Sequence, residues 1–143
     1  MNLINRGMMN EVLQNIKARR SVRAYTDRQV SAQDLDLILE AAAYAPNGMH
    51  YETWHFTAIQ DTAILTELNE VIKGAFAKSD EPRLRERGQS ETYCCYYHAP
   101  TLVIVSNEPT QWWAPMDCAC ALENIFLAAR SLGIGSCWIN QLG

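Results

Sequence analysis

Three arginines and a serine lie close together near the start of the chain, at Arg19, Arg20, Ser21 and Arg23. A guanidinium group is planar and donates two parallel hydrogen bonds, which matches the geometry of a phosphate or a carboxylate. Alternate side chains of an extended segment point the same way, so Arg19, Ser21 and Arg23 would face one ligand together. The pattern predicts an anion-binding site. The alternative is a solvated basic turn, because runs of charge are usually exposed.

The overall composition makes this local basic cluster more informative. The chain has 143 residues, of which 48% are apolar, and a net charge of −4. We expect a single globular domain over residues 1–143, in which residues 1–8 are disordered. An acidic protein of this kind is not expected to bind nucleic acid or an anionic membrane. Because the sequence also shows no membrane span and no signal peptide, we expect a cytoplasmic protein.

The cysteines predict neither a disulfide framework nor a metal site. Their number is odd and their spacing irregular, which suits a reducing compartment. Cys94, Cys95 and His98 could suggest zinc ligands, but the sequence contains no Cys-x-x-Cys pair. We therefore expect buried, unreactive thiols and no bound metal.

Two helices are predicted on either side of the basic cluster. Asn10 is a potential N-cap for a helix over residues 9–18, which is apolar on one side and leads directly into the arginines. Ser31 with Asp34 resembles a capping box, and apolar residues at i, i+3, i+4 and i+7 predict a second helix that Pro46 stops. The Asn-Gly turn that follows tolerates positive φ and would turn backbone N–H groups outward.

A third helix is predicted after Asp61, and a charged stretch follows it. The apolar spacing predicts a buried stripe on this helix, made of Ile64, Leu65, Leu68, Val71 and Ile72. Residues 78–92 then carry charges of both signs around a proline and a glycine. We interpret them as a charged, mobile surface excursion or lid and not as a second domain.

The remaining pattern predicts three strands and a long apolar helix. Residues 53–59 alternate as a half-buried strand does, and the apolar run 101–106 is typical of a strand covered on both faces in the centre of a sheet. Residues 115–132 predict a helix that is apolar nearly all round, buried in the core or in a subunit interface. Residues 136–139 predict a last short strand. The order fits a three-layer α/β or α+β sandwich with helices on both faces of the sheet.

Several common catalytic motifs are missing from the sequence. There is no Gly-x-Gly-x-x-Gly turn, so a Rossmann nucleotide site is unsupported. A Walker loop, a Gly-x-Ser-x-Gly elbow and a His-Glu-x-x-His pair are also missing. Hydrolytic chemistry therefore has no evident machinery.

Four segments in the right order resemble the FMN-dependent nitroreductase family. They are RRSVRAY at 19–25, APNGMHYETWHF at 45–56, YYHAPTLVIVS at 96–106 and DCACALENIFLAARSLGIGSCWI at 117–139. The resemblance implies a mixed, mainly antiparallel sheet with helices on both faces. It also implies a homodimer that holds two flavin sites at its interface.

The resemblance assigns roles to the basic cluster. Arg19, Arg20 and Ser21 match the residues that hold the FMN phosphate and ribityl chain. Arg23 matches the basic position at the pyrimidine edge of the flavin, where a cation stabilises the negative charge of the reduced ring. The family continues after residue 139 with further sheet and a basic pair at the phosphate, whereas this sequence ends at Gly143. The sequence is therefore either a fragment or a short version of the family with fewer phosphate contacts. We also expect an exposed sheet edge where the missing strand would lie.

Two further segments match flavin-contacting parts of the family. Pro46, Asn47, Gly48 and His50 match a loop that reaches the flavin from the partner subunit. Family members commonly have Asn at the position of His50 and Gln at that of Glu52. The second segment comprises Ser136, Cys137, Trp138, Ile139 and Asn140. It matches the strand that lies along the dimethylbenzene and N5 side of the flavin. A backbone N–H near residue 140 is the expected donor to N5. We expect the thiol of this strand to pack and not to act as a nucleophile.

The implied reaction needs no catalytic side chain, because the flavin supplies the chemistry. NAD(P)H as co-substrate delivers a hydride to flavin N5 and leaves, and an electron-poor acceptor such as a nitroaromatic or a quinone then takes the electrons. The alternative within the same fold is a non-catalytic FMN-binding or FMN-sequestering protein. A third possibility is an interaction domain whose basic stretch holds an acidic partner.

Overall fold

The computed structural model describes residues 10–140, so the predicted disorder of residues 1–8 lies outside the described part of the chain. The described elements in chain order are α1 (Glu11–Ala18), α2 (Ala32–Ala43), a 3-10 turn (Gly48–His50), β1 (Trp54–Ile59), α3 (Thr62–Ala77), α4 (Pro82–Gln89), β2 (Leu102–Asn107) and α5 (Ala114–Ser131).

Side-chain caps begin the first three helices, as the sequence predicts. The Asn10 carboxamide oxygen accepts from Leu13 N–H at 2.9 Å, and the Ser31 hydroxyl accepts from Asp34 N–H at 3.0 Å. The Asp61 carboxylate accepts from two backbone N–H groups at the start of α3. Each cap satisfies backbone donors that have no partner inside the helix. These three helix starts are confirmed.

The two strands form an antiparallel ladder from the pair Trp54–Asn107 to the pair Ile59–Leu102. Helices α2 and α5 pack together beside it, so the predicted α+β class with an antiparallel sheet is confirmed. The predicted central position of β2 is wrong for the described residues, because β2 pairs along one edge only and most of its residues are half-buried. The second edge faces a groove described below.

The predicted last strand at 136–139 reduces to a single parallel bridge between Ser21 and Ser136. Its one backbone hydrogen bond runs from Val22 N–H to the Ser136 carbonyl, at 2.9 Å. The segment at 21–23 is extended only briefly, so a longer ladder does not form.

Two clusters of buried side chains form the core. The larger one joins α2, β1 and α5, and it contains Ile38, Ala42, Ala45, Trp54, Ala121, Ile125, Phe126 and Ala129. The smaller one joins α3 to the segment before β2, and it contains Leu65, Ile72, Cys94, Cys95 and Tyr96. Cys94 and Cys95 are therefore the buried thiols that the sequence predicts, whereas Cys120 is exposed.

The buried stripe of α3 is narrower than predicted. Ile64 is 52% exposed and Val71 is 64% exposed, while the buried positions are Leu65, Asn69 and Ile72. The Asn69 side chain accepts from Cys95 N–H at 2.9 Å and donates to the Tyr93 carbonyl at 3.3 Å. The helix therefore buries one narrow face, which is partly polar because it secures the backbone of residues 93–95.

The charged stretch predicted as a surface excursion contains a regular helix, α4. A proline begins it, and it packs against α3. Gly88 makes this packing possible, because a Cβ atom at this position would lie 2.2 Å from the backbone nitrogen of Ala77. The sequence did not predict this helix, which has no buried residues and so lies at the surface.

The long helix α5 agrees with the prediction to within one residue at each end. Gly133, with φ of 75°, follows the C-cap in the left-handed conformation that ends many helices. Among residues 10–140, no helix combines the length and the apolar character needed to cross a membrane.

Candidate functional site

The basic cluster begins where α1 ends. Arg19 is the C-cap of α1, and the chain then runs alongside the start of the segment Ser136–Asn140 through the Ser21–Ser136 bridge. The two segments lie close together, because a Cβ atom at Gly135 would lie 3.0 Å from the Val22 side chain. The structure thus brings two predicted site segments together that are more than 100 residues apart in the sequence.

The guanidinium groups of this cluster differ in what they contact. Neither Arg19 nor Arg23 forms an ion pair with a carboxylate of residues 10–140. Arg23 instead lies over the ring of Tyr97, with 5.9 Å between Cζ and the ring centroid. Arg20 folds back on α1 and donates through Nη1 to the carbonyls of Lys17 and Arg19, at 2.7 and 2.6 Å. Arg19 and Arg23 are therefore available to an anion, whereas part of Arg20 caps the helix.

Tyr25 ties the basic cluster to the segment Ser136–Asn140, a role that the sequence reasoning missed. Its hydroxyl donates to the Val22 carbonyl at 2.6 Å and lies 3.4 Å from Cys137 Sγ. Burial, and then the hydrogen bond with Cys137, raise the pKa of Tyr25 well above its ordinary value. The hydroxyl therefore stays protonated at neutral pH. The position of Tyr25 within the RRSVRAY segment is the only sequence signal for this role.

The segment Ser136–Asn140 borders an apolar groove of about 410 Å³. Residues of β2 and α5 also line this groove. Trp138 is half exposed and packs its ring against that of Phe126, with 6.3 Å between the centroids. Ile139 is half-buried and Asn140 is exposed. The groove could hold a flat apolar group against this segment.

The loop Pro46–His50 is fixed to the beginning of α5. Gly48 N–H donates to the buried carboxylate of Asp117 at 3.0 Å. The backbone of Gly48 also lies directly against the indole of Trp113, which leaves no room for a Cβ atom. Asp117 was not predicted to have this role, although it interrupts the apolar pattern of α5 and that interruption could have indicated it.

The conformation of this loop differs from the expectation for an Asn-Gly turn. Asn47 is extended, with φ of −140°. Positive φ falls instead on Met49, His50 and Glu52. The Asn47 side chain accepts from Glu52 N–H at 3.2 Å, and His50 Nε2 lies 3.4 Å from Glu52 Oε1. These contacts within the loop replace the turn expected at Asn47 and Gly48.

A single chain does not bring this loop to the basic cluster. The loop contacts the first turn of α5, whereas Ser136 follows its last turn. An α-helix rises about 1.5 Å per residue, so the 18 residues of α5 separate the two regions by about 27 Å. The predicted site residues therefore form two groups at opposite ends of one helix.

The fold and the first of these groups define a class: α+β proteins in which an arginine-rich segment is bridged to the segment that follows a long apolar helix. Residues 16–143 match the Nitroreductase family, and the chain belongs to that family. The predicted family is therefore confirmed.

The chain is similar to several solved structures and curated proteins. A nitroreductase from Bacteroides fragilis with bound FMN is 78% identical, with a TM-score of 0.93 over 94% of this chain and 72% of that chain. A nitroreductase from Desulfitobacterium hafniense with bound FMN is 32% identical, with a TM-score of 0.81 over 90% of this chain and 69% of that chain.

A curated relative from Archaeoglobus fulgidus has a name that includes NADH dehydrogenase/NAD(P)H nitroreductase. It is 38% identical over 92% of this chain and 68% of its own length. A relative from Methanothermobacter thermautotrophicus with the same words in its name is 35% identical, and the chain spans 60% of its length.

Proposed function

We propose that this protein is an FMN-dependent oxidoreductase that passes a hydride from NAD(P)H through the flavin to an electron-poor acceptor such as a nitroaromatic or a quinone. One observation carries the proposal. Arg19 and Arg23 have no carboxylate partner among the described residues, and their segment is bridged to the segment Ser136–Asn140. FMN in the Bacteroides fragilis and Desulfitobacterium hafniense structures supports this choice of cofactor. Two Bacillus subtilis relatives named FMN reductase, one with NADPH and one with NAD(P)H, support the class of reaction.

The residues of the basic cluster fit the two charged regions of FMN. Arg19 and Ser21 lie where a helix gives way to an extended segment, and they would donate to the phosphate. Arg23 lies further along the chain, and its fixed positive charge would favour the electron-rich form of the ring over the oxidised form. When bound, FMN supplies the hydride-transfer chemistry, so the protein needs to bind, orient and shield it.

We propose that the segment Ser136–Asn140 presents a backbone N–H near Asn140 to the reacting edge of the ring. A main-chain donor leaves the side chains of Cys137 and Trp138 free to pack. Cys137 contacts the Tyr25 hydroxyl and Trp138 contacts Phe126, which agrees with packing roles.

We propose further that the working protein is a homodimer in which the loop Pro46–His50 completes the site of the partner subunit. Two observations support this arrangement. The loop and the basic cluster lie at opposite ends of α5. The apolar side of α1 is uncovered in the single chain, with Val12, Leu13 and Ile16 exposed by 65%, 48% and 45%. An uncovered apolar stripe of this size is typical of an interface between chains.

Flavin uptake followed by anaerobic reduction tests the proposal. The purified protein should bind FMN, lose its yellow colour on addition of NADH or NADPH without oxygen, and regain it on addition of a nitroaromatic or a quinone. A protein that takes up no FMN would contradict both flavin functions. A loaded protein that neither nicotinamide bleaches would be an FMN-binding protein without this activity.

A further inference from the structure

A pocket of about 680 Å³ opens between α4 and the turn at residues 93–98. Arg83 and Arg87 line it from α4, Tyr93 and Tyr97 line it from the turn, and Arg23 lines it from the basic cluster. We call it the arginine pocket. Because Arg23 belongs to it, the arginine pocket continues directly from the proposed position of the flavin ring.

The charge of the arginine pocket is strongly positive in a chain whose net charge is negative. None of its three guanidinium groups is paired with a carboxylate in the part of the chain that the structure describes. Glu86 is the one carboxylate among its lining residues. Guanidinium groups gathered in a concave site attract anions, and they bind carboxylates and phosphates with paired hydrogen bonds.

The stability of α4 does not account for the position of Arg83. Arg83 and Arg87 are four residues apart on one face of the helix, where like charges repel each other. Arg83 also lies in the first turn, beside the positive end of the helix dipole. Both effects disfavour an arginine at position 83, whereas Arg87 lies in the last turn, where a cation suits the helix dipole. A negatively charged ligand is therefore a more direct reason for Arg83.

Aromatic rings hold the arginines and supply flat walls. Arg23 lies over Tyr97 at 5.9 Å and Arg87 over Tyr93 at 6.0 Å from Cζ to the ring centroid. Tyr97 and His98 both have positive φ, a conformation that is uncommon for residues with side chains. Cys94 secures the turn, because its carbonyl accepts from Tyr97 N–H at 3.2 Å and its sulfur from His98 N–H at 3.3 Å.

We propose that the arginine pocket binds the anionic group of an aromatic ligand of the flavin site, with that group, a carboxylate or a phosphate, held by Arg83 and Arg87. The proposal rests on the proposed function, because Arg23 is the residue assigned to the flavin ring. The volume falls within the range of small-molecule sites, and the tyrosines would pack against the flat body of the ligand. The anionic group belongs either to the electron acceptor or to the additional phosphate of NADPH.

Binding of a matched pair of ligands to the FMN-loaded protein tests this proposal. The pair is 4-nitrobenzoate and its neutral analogue 4-nitrobenzamide, and their dissociation constants are measured from changes in the flavin absorption spectrum without any reductant. At low salt we expect the benzoate to bind at least about tenfold more tightly, since a charge-assisted contact is worth about one decade or more in affinity. Added salt should reduce this preference.

Substitutions on α4 test whether the arginine pocket causes the preference for 4-nitrobenzoate over 4-nitrobenzamide. Arg83→Gln and Arg87→Gln should each remove most of it, whereas Glu86→Gln should strengthen it because it removes the opposing charge. Arg85→Gln is the matched control, because Arg85 is on the same helix but does not line the arginine pocket. It should keep the preference of the parent. The thermal unfolding midpoint of every variant is recorded to confirm that it folds.

A second measurement shows whether the anionic group belongs to the electron acceptor or to NADPH. The concentration of NADPH and of NADH that half-saturates anaerobic flavin reduction is measured for the parent and the same variants. If Arg83→Gln and Arg87→Gln lose a preference for NADPH over NADH, the bound anion is the additional phosphate of NADPH. If they lose only the preference for 4-nitrobenzoate over 4-nitrobenzamide, the anion belongs to the electron acceptor.

Two different results would contradict two different proposals. If folded Arg83→Gln and Arg87→Gln keep both preferences of the parent while all variants bind FMN normally, the arginine pocket is not an anion site. If the parent itself binds no FMN, the proposed function fails first, and the pocket proposal fails with it.

Discussion

Arg19 and Arg23 are four residues apart but have different surroundings. Arg19 is half-buried and is the C-cap of α1. Arg23 is exposed and lies over a tyrosine ring that borders the arginine pocket. We therefore expect the two arginines to affect different properties of the bound flavin, its affinity in one case and its reduction potential in the other.

Arg19→Ala should weaken FMN binding by about 10- to 100-fold, since a charge-assisted contact to the phosphate is lost. The turnover of the enzyme that remains loaded should change much less. The dissociation constant is measured from the quenching of FMN fluorescence on binding. Arg28→Ala, which removes an exposed arginine outside the site, is the control. Equal FMN affinity in Arg19→Ala and the parent would mean that the phosphate lies elsewhere.

Arg23→Ala should lower the two-electron reduction potential of the bound flavin. Removal of a cation from the ring edge destabilises the reduced form, and a change of about 30 mV corresponds to about 1.4 kcal/mol for a two-electron couple. The potential is measured by anaerobic titration against a reference dye, with Arg28→Ala again as the control. A potential that stays at the value of the parent would separate Arg23 from the ring.

Helix α4 carries two of the three arginines of the arginine pocket. Its face toward α3 includes Gly88, which lies against the backbone of Ala77. Its exposed charged residues include Arg83 and Arg87 of the arginine pocket. The close backbone approach therefore fixes the position of the arginines.

Gly88→Ala should lower the free energy of unfolding by about 1–3 kcal/mol, the usual cost of excess volume at a packed contact. The cause is direct, since the added methyl group would overlap the backbone of α3. Gly74→Ala is the matched control, because a Cβ atom there meets nothing within 4 Å. The free energy of unfolding of Gly74→Ala should rise by about 0.5–1 kcal/mol, because alanine has a higher helix propensity than glycine. Chemical denaturation measures both, and a loss in Gly74→Ala equal to that in Gly88→Ala would argue against the close contact.

The elements that the sequence predicts well are those with local signals. Asn10, Ser31 and Asp61 accept hydrogen bonds from N–H groups two or three residues away, so the helix starts could be predicted from a few residues. Helix α4 has no buried residues and no apolar stripe, so its apolar pattern is too weak to indicate a helix. The segment after Gly135 depends on a bridge to Ser21, a partner that hydrophobic periodicity does not reveal.

The candidate site also contains features with a local sequence signal and features that depend on distant residues. The basic cluster was evident from residue types alone, because arginines in an acidic chain are conspicuous. The contact of Gly48 with Asp117 and that of Tyr25 with Cys137 join residues far apart in the chain. The arginine pocket likewise joins α4 to Arg23, and it depends on a helix that the sequence did not indicate.

At the scale of the whole molecule, the two groups of site residues lie at opposite ends of α5, and the proposed dimer would combine one group from each chain into one site. We therefore expect FMN affinity to fall when the protein is diluted below the dissociation constant of the proposed dimer. By mass action, a ligand bound only by the dimer stabilises the dimer. FMN titrations at several protein concentrations, alongside sedimentation of the same samples, measure both. FMN affinity that stays constant while the dimer dissociates would contradict the shared site.

Stability should fall in alkaline solution as the smaller core cluster loses protons. Burial, and then the neighbouring Cys94, raise the pKa of Cys95 from 9.0 to about 11. The folded protein therefore holds this proton more tightly than the unfolded chain does, and the resulting stability is complete below pH 9 and is lost as the pH rises through 11. The thermal unfolding midpoint should decline over this window, less steeply in Cys95→Ala. Exposed Cys120→Ala should decline as the parent does, and identical slopes in all three would exclude Cys95 as a cause.

The contact between Gly88 and the backbone of Ala77 also bears on how this scaffold could acquire new ligands. Because main chain meets main chain there, many side chains of α4 can be exchanged without altering the distance between the two helices. The bridge that joins the basic cluster to Ser136 involves none of these side chains. We therefore expect ligand preference and cofactor retention to be separable traits. A library of substitutions at the exposed positions of α4 should change the former and preserve the latter.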